Sequence, residues 1–501
     1  MPVSTSTADR AVALIVSLFL LSAVGLPARA QLDPDEFVTG AAAKNWENWQ
    51  AAMTALVARD ADTAELAFDL LLQDEPSAFR IALLAERTTR QTSLAGGVLL
   101  LEQDHEAGAL KEAGAAVAEL LATGREQMNE ADDAFYFASI GQFEIANANL
   151  QALIASDPDP VALVEFTDRV PRRHQILVQL SDHPLLGKSV QEYLRRLQQG
   201  EQQIKADPTR IKQNIERLAG PPRAFENGVA MLKDSGEYAV PFLLMYLRDP
   251  QKRDFIPVIL RTLPQLGRSA LNPLVQSLQM SDQPTLLSVI QTLGKIGYWQ
   301  AAPYLLRLKE SADASPEVKA AADAALRDIS ARNGDAQGLT AAQAFYRLAA
   351  AYYDGVESLA ADSRLDYANV WYWEDQLLEN IQVPTEVFDE IMAMRCCEAA
   401  LELNPDMKPA LALWIAANFR REAQLPDGAV DFTKPENYPP ALYFAQSAGA
   451  EYCQLALARA VKDGDAAVAI GAIAALRQTA GTANLLAEAD GVQPLAAALT
   501  F

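Results

Sequence analysis

Three stretches decide the fold: AVPFLLMYL at residues 239–247, ALNPLVQSL at 270–278 and AAPYLLRLK at 301–309. They align on Pro241, Pro273 and Pro303, which stand 32 and 30 residues apart. Each of the last two is followed by a second apolar-periodic segment opening on a capping residue. These are DQPTLLSVIQTL from Asp282 and SPEVKAAADAAL from Ser315. Proline suits a first helical turn, where the N–H groups have no intrahelical acceptor and a fixed φ helps. Asp282 and Ser315 are placed to cap the following helices, and Gly267 and Gly297, each six residues before the next Pro, permit the left-handed turn between units. The reading is a helix–turn–helix unit repeated along the chain. Two short helices cannot bury their apolar faces alone, so the units must stack into a solenoid.

The same register returns near the C-terminus. DAAVAIGAIAAL from Asp465 matches the two capped segments, and VQPLAAALTF places Pro494 and Leu495 as Pro273 and Leu274 lie in theirs. The sequence stops there, in mid-repeat, which leads to the expectation of a longer array or of Phe501 packing on a second copy. A different spacing flanks the central units. Ala146, Leu150 and Pro158 stand at offsets of 0, 4 and 12, repeated by Ala393, Cys397 and Pro405 and by Ala64, Phe68 and Pro76.

The units between about residues 236 and 330 resemble HEAT repeats of the short bacterial kind, also found in phycobilisome-lyase-like proteins. The Pro of the first helix, the Asp or Ser start of the second and the Leu-x-x-x-Gly ending carry that likeness. The flanking pattern resembles the second helix and terminal Pro of tetratricopeptide repeats. Both resemblances imply an α-solenoid whose curved surfaces hold protein or peptide ligands. They imply no chemistry, because the motifs consist of packing and punctuation residues.

One stretch departs from helix. In DYANVWYWEDQLLENIQVP, residues 366–384, Tyr367, Val370, Trp371, Tyr372 and Trp373 crowd before a polar turn, which predicts a small β-hairpin near 365–384. Trp371, Tyr372 and Trp373 are either an interaction surface, since exposed aromatics anchor interfaces, or packing between helical blocks. The stretch from Pro426 to Pro440 reads as a connection.

The N-terminus reads as an export signal. A polar start ending at Arg10, an apolar run from Ala11 to Val24 and the small-x-small triplet Ala28-Arg29-Ala30 predict cleavage before Gln31. That run is shorter than the roughly 20 apolar residues a spanning helix needs, and no stable span is expected after cleavage. The protein is then periplasmic or extracellular. A formal net charge of −23 argues against nucleic acid, which is bound by Lys and Arg displacing counterions. The clusters Arg169, Arg172 and Arg173, and Arg195 to Arg217, read as solvated helix faces among carboxylates. Three cysteines, Cys396, Cys397 and Cys453, are too few for a disulfide framework, although a link between Cys396 and Cys453 is conceivable after export.

Catalytic and metal patterns are missing from the sequence. His105, His174 and His183 fit no metal spacing, no nucleophile elbow or phosphate loop occurs, and Gly96-Gly97 reads as a turn. No catalytic, cofactor or metal residue is nominated. The sequence therefore reads as an all-α solenoid of HEAT-type and tetratricopeptide-like hairpins. Its expected divisions are a signal at 1–30, an N-terminal helical domain at 31–232, a HEAT block at 233–334, a tetratricopeptide-like block with the aromatic insertion at 335–430, a linker at 431–448 and a HEAT-like block at 449–501. The expected function is a non-enzymatic protein-binding scaffold of the cell envelope. A tetrapyrrole-handling or other enzyme on HEAT repeats, or a self-associating structural protein, are the alternatives.

Overall fold

The structure, a computed structural model, describes residues 39–91, 93–333, 338–481 and 493–499. The signal at 1–30 and Phe501 lie outside the described residues. Helix follows helix through the N-terminal part: α1 (Gly40–Val57), α2 (Ala61–Leu72), α3 (Ala78–Thr89), α4 (Ala95–Glu106), α5 (Glu112–Ser139), α6 (Phe143–Ala155), α7 (Pro160–Asp168), α8 (Arg172–Leu180) and α9 (Gly187–Ala206). Short polar side chains start many of them. Thr39, Asp60, Ser77 and Asp159 each accept from a backbone N–H of the first turn, satisfying donors that have no intrahelical partner. The helices α5 and α3 pack against each other at Gly124, where a Cβ would overlap the backbone carbonyl of Ala78. Only glycine permits that approach.

The central units form as the proline register predicts. They are α10 (Pro208–Arg217), α11 (Pro222–Ser235), α12 (Ala239–Arg248), α13 (Ile256–Thr262), α14 (Leu271–Ser277), α15 (Gln283–Ile296), α16 (Ala302–Glu310) and α17 (Pro316–Asn333). Pro241, Pro273 and Pro303 sit in the first turns of α12, α14 and α16. Asp282 accepts from the Thr285 N–H at 3.0 Å, and Ser315 Oγ accepts from Val318 at 3.3 Å. Gly297 closes α15 at φ 80° and ψ 19°, the left-handed cap a side chain would strain. The first unit is looser: 3₁₀ turns at 250–255 and 263–270 enclose a short α13, and Pro257 and Pro264 limit α-helical hydrogen bonding there.

After α18 (Ala341–Tyr353) the chain makes its antiparallel pair, β1 (Tyr367–Glu374) and β2 (Leu377–Pro384), with Tyr367 opposite Pro384 and Glu374 opposite Leu377. Asp375 and Gln376 form the turn with φ of 47° and 65°. Both central residues of such a two-residue turn need positive φ, a conformation costly for a non-glycine residue. Tertiary bonds hold it in place. Arg248 Nη1 donates to the Gln376 carbonyl at 2.6 Å, and Ser281 Oγ donates to Gln376 Oε1 at 3.0 Å. Helices resume with α19 (Phe388–Leu403), α20 (Lys408–Gln424), α21 (Ala441–Ala448), α22 (Ala450–Asp463), α23 (Ala466–Thr479) and α24 (Pro494–Ala498).

Two expected boundaries do not separate cores. One apolar cluster runs without interruption from Ile211 to Leu476, so the blocks divided at 334 and at 431–448 share a single interior. This is the behaviour of a solenoid, in which each hairpin's inner face is covered by its neighbours. The break in the core lies between Ile204 and Ile211, upstream of the expected 232 boundary. The linker at 431–448 is corrected as well: residues 441–448 are α21, and Asp431 is buried. Cys396, Cys397 and Cys453 are all buried free thiols, with no link between Cys396 and Cys453.

Candidate protein-binding face

The hairpin leaves Tyr367 exposed but does not offer the run Trp371-Tyr372-Trp373 to solvent. Trp371 is 3% exposed, and its Nε1 donates to Glu237 Oε2 at 2.7 Å. Asn369 Nδ2 donates to Glu237 Oε1 at 2.6 Å and to the Tyr238 hydroxyl at 2.8 Å. Burial pushes the Glu237 carboxyl above its usual range, and the donors Asn369 and Trp371 pull it back. On the neighbouring helix, Arg395 donates Nη1 to the Trp371 carbonyl at 2.9 Å and lies 4.3 Å over the Tyr372 ring. Arg248 stands 5.8 Å over Trp373. Of the three residues read as an interaction surface, Trp371 is core, while Tyr372 and Trp373 are half-buried. The hairpin is a brace, clamped between the α11–α12 turn and α19.

An exposed apolar group instead occurs where the sequence reads as a connection. Arg421, near the end of α20, has 6% of its side chain exposed, and Asp431 has 2%. Arg421 Nε donates to Asp431 Oδ2 at 2.6 Å and Nη2 to Thr433 Oγ1 at 2.5 Å, while Asp431 Oδ1 also accepts from Thr433 N at 3.0 Å. A buried ion pair offsets its desolvation only when the remaining polar atoms are satisfied in this way. Glu422 adds a second tie, accepting from the first N–H of α21 at 2.9 Å with Lys434 Nζ at 3.6 Å. The loop is thus fixed, and alternation about buried Asp431 turns Val430 (58% exposed) and Phe432 (69%) outward.

Further along the chain, three rings gather around Phe444. Trp414 lies 5.3 Å from it, Tyr438 5.1 Å and Tyr443 5.8 Å, the first and third edge-on. Trp414 Nε1 donates to Glu398 Oε1 at 2.8 Å, which fixes the indole from α19. Burial pushes the Tyr438 hydroxyl up, opposed by Arg421, and Glu398 and Asp431 are also in electrostatic reach. Burial likewise pushes the Tyr372 hydroxyl up, opposed by Arg395 and Arg421. The signal that sequence reasoning passed over is compositional: Phe432, Tyr438, Tyr443 and Phe444 stand within and just after a proline-rich connection.

Most other groups suggestive of chemistry have structural employment, Asp389 being the exception, with its Oδ1 buried and without a hydrogen-bond partner among the described residues. Burial raises Asp389 to about 6 and Glu390 to about 7. With its Nε2 oriented toward Glu390, the Gln424 amide donates at 3.0 and 3.2 Å, tying α20 to α19. His174 pairs with Asp168 at 2.6 Å, and His183 lies 4.3 Å from the Phe143 ring. The arginine clusters are not solvated faces throughout. Arg173 packs 3.7 Å over Phe166, Arg196 has 13% of its side chain exposed, and Arg210 donates to Asp234 at 3.2 Å with 6% exposed. Each meets a carboxylate from another part of the chain, Asp132, Asp157 and Asp234, and Arg196 also pairs with Glu192 on its own helix. A hollow of about 500 Å³ beside α1, α2 and α4 is lined by Gln50, Thr54, Asp60, Thr63 and Gln91, and its carboxylate already caps α2. Among the described residues no group of three His, Cys, Asp or Glu is placed to hold a metal ion, and no helix is long and apolar enough to cross a membrane.

The class that these elements define is an all-α solenoid of stacked helical hairpins with one small inserted β-hairpin. No protein-family model and no curated protein matches the chain. Among solved structures it is similar to one described as a "Circular tandem repeat protein with novel repeat topology and enhanced subunit contact surfaces", at 14% identity over 92% of this chain and 98% of that one. The TM-score of that pair is 0.15, a likeness that carries no weight for fold or function.

Proposed function

We propose that this chain is a non-enzymatic scaffold that binds protein or peptide ligands outside the cytoplasm, built from HEAT-type and tetratricopeptide-like hairpins. The observation that carries the reading is the pinned loop with its apolar display. A buried Arg421–Asp431 pair fixes a surface segment that turns Phe432 outward, six residues before Tyr438 of the ring group that Trp414, Tyr443 and Phe444 complete. Preorganised, exposed aromatic anchors are what association favours, because little side-chain freedom is lost on binding. The leader-like residues 1–30 support export, and the proline, cap and glycine positions of α12–α17 support the HEAT assignment.

Affinity purification from the native cell envelope tests this, using the mature chain and a Phe432→Ser/Tyr443→Ser variant. A discrete partner retained by the first and lost from the second is expected. The same proteins recovered with both would count against the assignment of the face. Mass spectrometry of the native protein tests export separately, with an N-terminus at Gln31 expected.

A further inference from the structure

The charges around this face restrict what it can hold. Residues 398–436 contain seven Asp and Glu against four Lys and Arg. All four cations are already paired: Lys408 with Glu451, Arg420 with Asp465, Arg421 with Asp431 and Lys434 with Glu422. Glu398, Glu402, Asp406, Asp427 and Glu436 have no ion-pair partner among the described residues. Glu398 already holds the Trp414 indole, and Glu436 stands two residues from Tyr438. Glu398 and Glu402, one helical turn apart on α19, and Glu436 therefore bring unpaired carboxylates to the ring group, while Arg395, the cation just before this stretch, is turned to the Trp371 carbonyl and the Tyr372 ring.

We propose that the face formed by Trp414, Phe432, Tyr438, Tyr443 and Phe444 takes a cationic peptide segment of a partner protein, one in which Lys or Arg alternates with apolar side chains. The proposal rests on the protein-binding reading above and adds the chemistry of the partner. Ring faces attract ammonium and guanidinium groups, a preference Lys434 already shows at 5.5 Å over Tyr438. The partner's apolar side chains meet Phe432 and Val430, while Glu402 and Glu436 meet its cations at the rim. Complementary rim charge mainly sets association rate and partner choice, and the aromatic anchors set the lifetime of the complex.

The test uses the mature full chain and two short fluorescein-labelled peptides, repeats of Lys-Leu-Pro and of Glu-Leu-Pro, read by anisotropy. Saturable binding of the Lys peptide is expected, with none of the Glu peptide and with weakening as salt rises. Phe432→Ser/Tyr443→Ser, both at exposed positions, weakens binding about tenfold or more. Glu402→Gln/Glu436→Gln weakens it about three- to fivefold, and Val178→Ser, at an equally exposed site elsewhere, leaves it unchanged. If both peptides bind alike and the aromatic variant abolishes both, the face stands but its cationic preference is overturned. Lys-peptide binding that ignores the aromatic variant is general attraction to an acidic protein, and both readings fall. Sedimentation showing a dimer that the aromatic variant dissolves would assign the face to a second copy and overturn the proposal.

Discussion

Glu237→Ala should loosen the β-hairpin without unfolding the solenoid. The carboxylate accepts from Asn369 at 2.6 Å and from Trp371 at 2.7 Å, and both donors belong to largely buried side chains. Stranding a buried donor costs about 1–3 kcal/mol. Asn369 keeps the Tyr238 hydroxyl as an acceptor, so the larger loss falls on the Trp371 indole. Removing Glu237 also relieves the burial that pushes its carboxyl upward, which offsets part of the loss. A net cost of about 2 kcal/mol remains, equivalent to about a 30-fold fall in the protection of the hairpin amides. Hydrogen exchange followed by mass spectrometry reads this directly. Peptides covering 367–384 should exchange faster, while those of α1–α6, in separate apolar clusters, keep their rates. A change under threefold at the hairpin, or an equal change along the whole chain, would refute the brace.

Three further outcomes follow from the same structure. Glu390→Gln should stabilise the protein above neutrality: the folded carboxyl is raised to about 7 from an ordinary 4.5, so its contribution is full below the lower value and lost as pH rises through the upper one. Urea midpoints should show a gain of at most about 3 kcal/mol at pH 8 that vanishes near pH 4. Gly124→Ala should cost about 1–3 kcal/mol by forcing α5 away from Ala78, whereas Gly96→Ala, whose Cβ would meet only Val57 at 3.8 Å, should be neutral or mildly stabilising in thermal melts. Arg421→Met leaves Asp431 as an unpaired buried charge, a loss of about 3–5 kcal/mol, and limited proteolysis should then cut within 425–440 first.

The fold was legible where local rules dominate. Proline in a first turn, a capping Asp or Ser and a left-handed glycine act within a few residues, so Pro273, Asp282 and Gly297 mark α14, α15 and the turn after them from sequence alone. The hairpin was legible for the same reason, through β-prone residues before a polar turn. Its burial was not, because Glu237 lies more than 130 residues from Trp371 and nothing local announces the pair. The burial of Arg173 and Arg210 was hidden likewise, since their partners Asp132 and Asp234 lie at distances no helical period encodes. The connection at 426–440 looked polar and proline-broken, features shared by mobile links and by loops fixed from within. The Arg421–Asp431 pair separates the two, and it takes coordinates to see that both members are buried. The sequence nominated the aromatics of the hairpin, and none of Trp371, Tyr372 and Trp373 is exposed. Trp414, Tyr438 and Phe444 are half-buried like Tyr372 and Trp373, and what distinguishes their group is the exposed pair Phe432 and Tyr443.

The most direct test of the binding face places a photo-crosslinking amino acid at position 432, 443 or 178 of the chain in its native cells. All three positions are exposed, with Phe432 at 69%, Tyr443 at 55% and Val178 at 60%. The account predicts one discrete adduct with a partner protein from positions 432 and 443 and none from 178. Adducts absent from 432 and 443, or formed equally at 178, would contradict it.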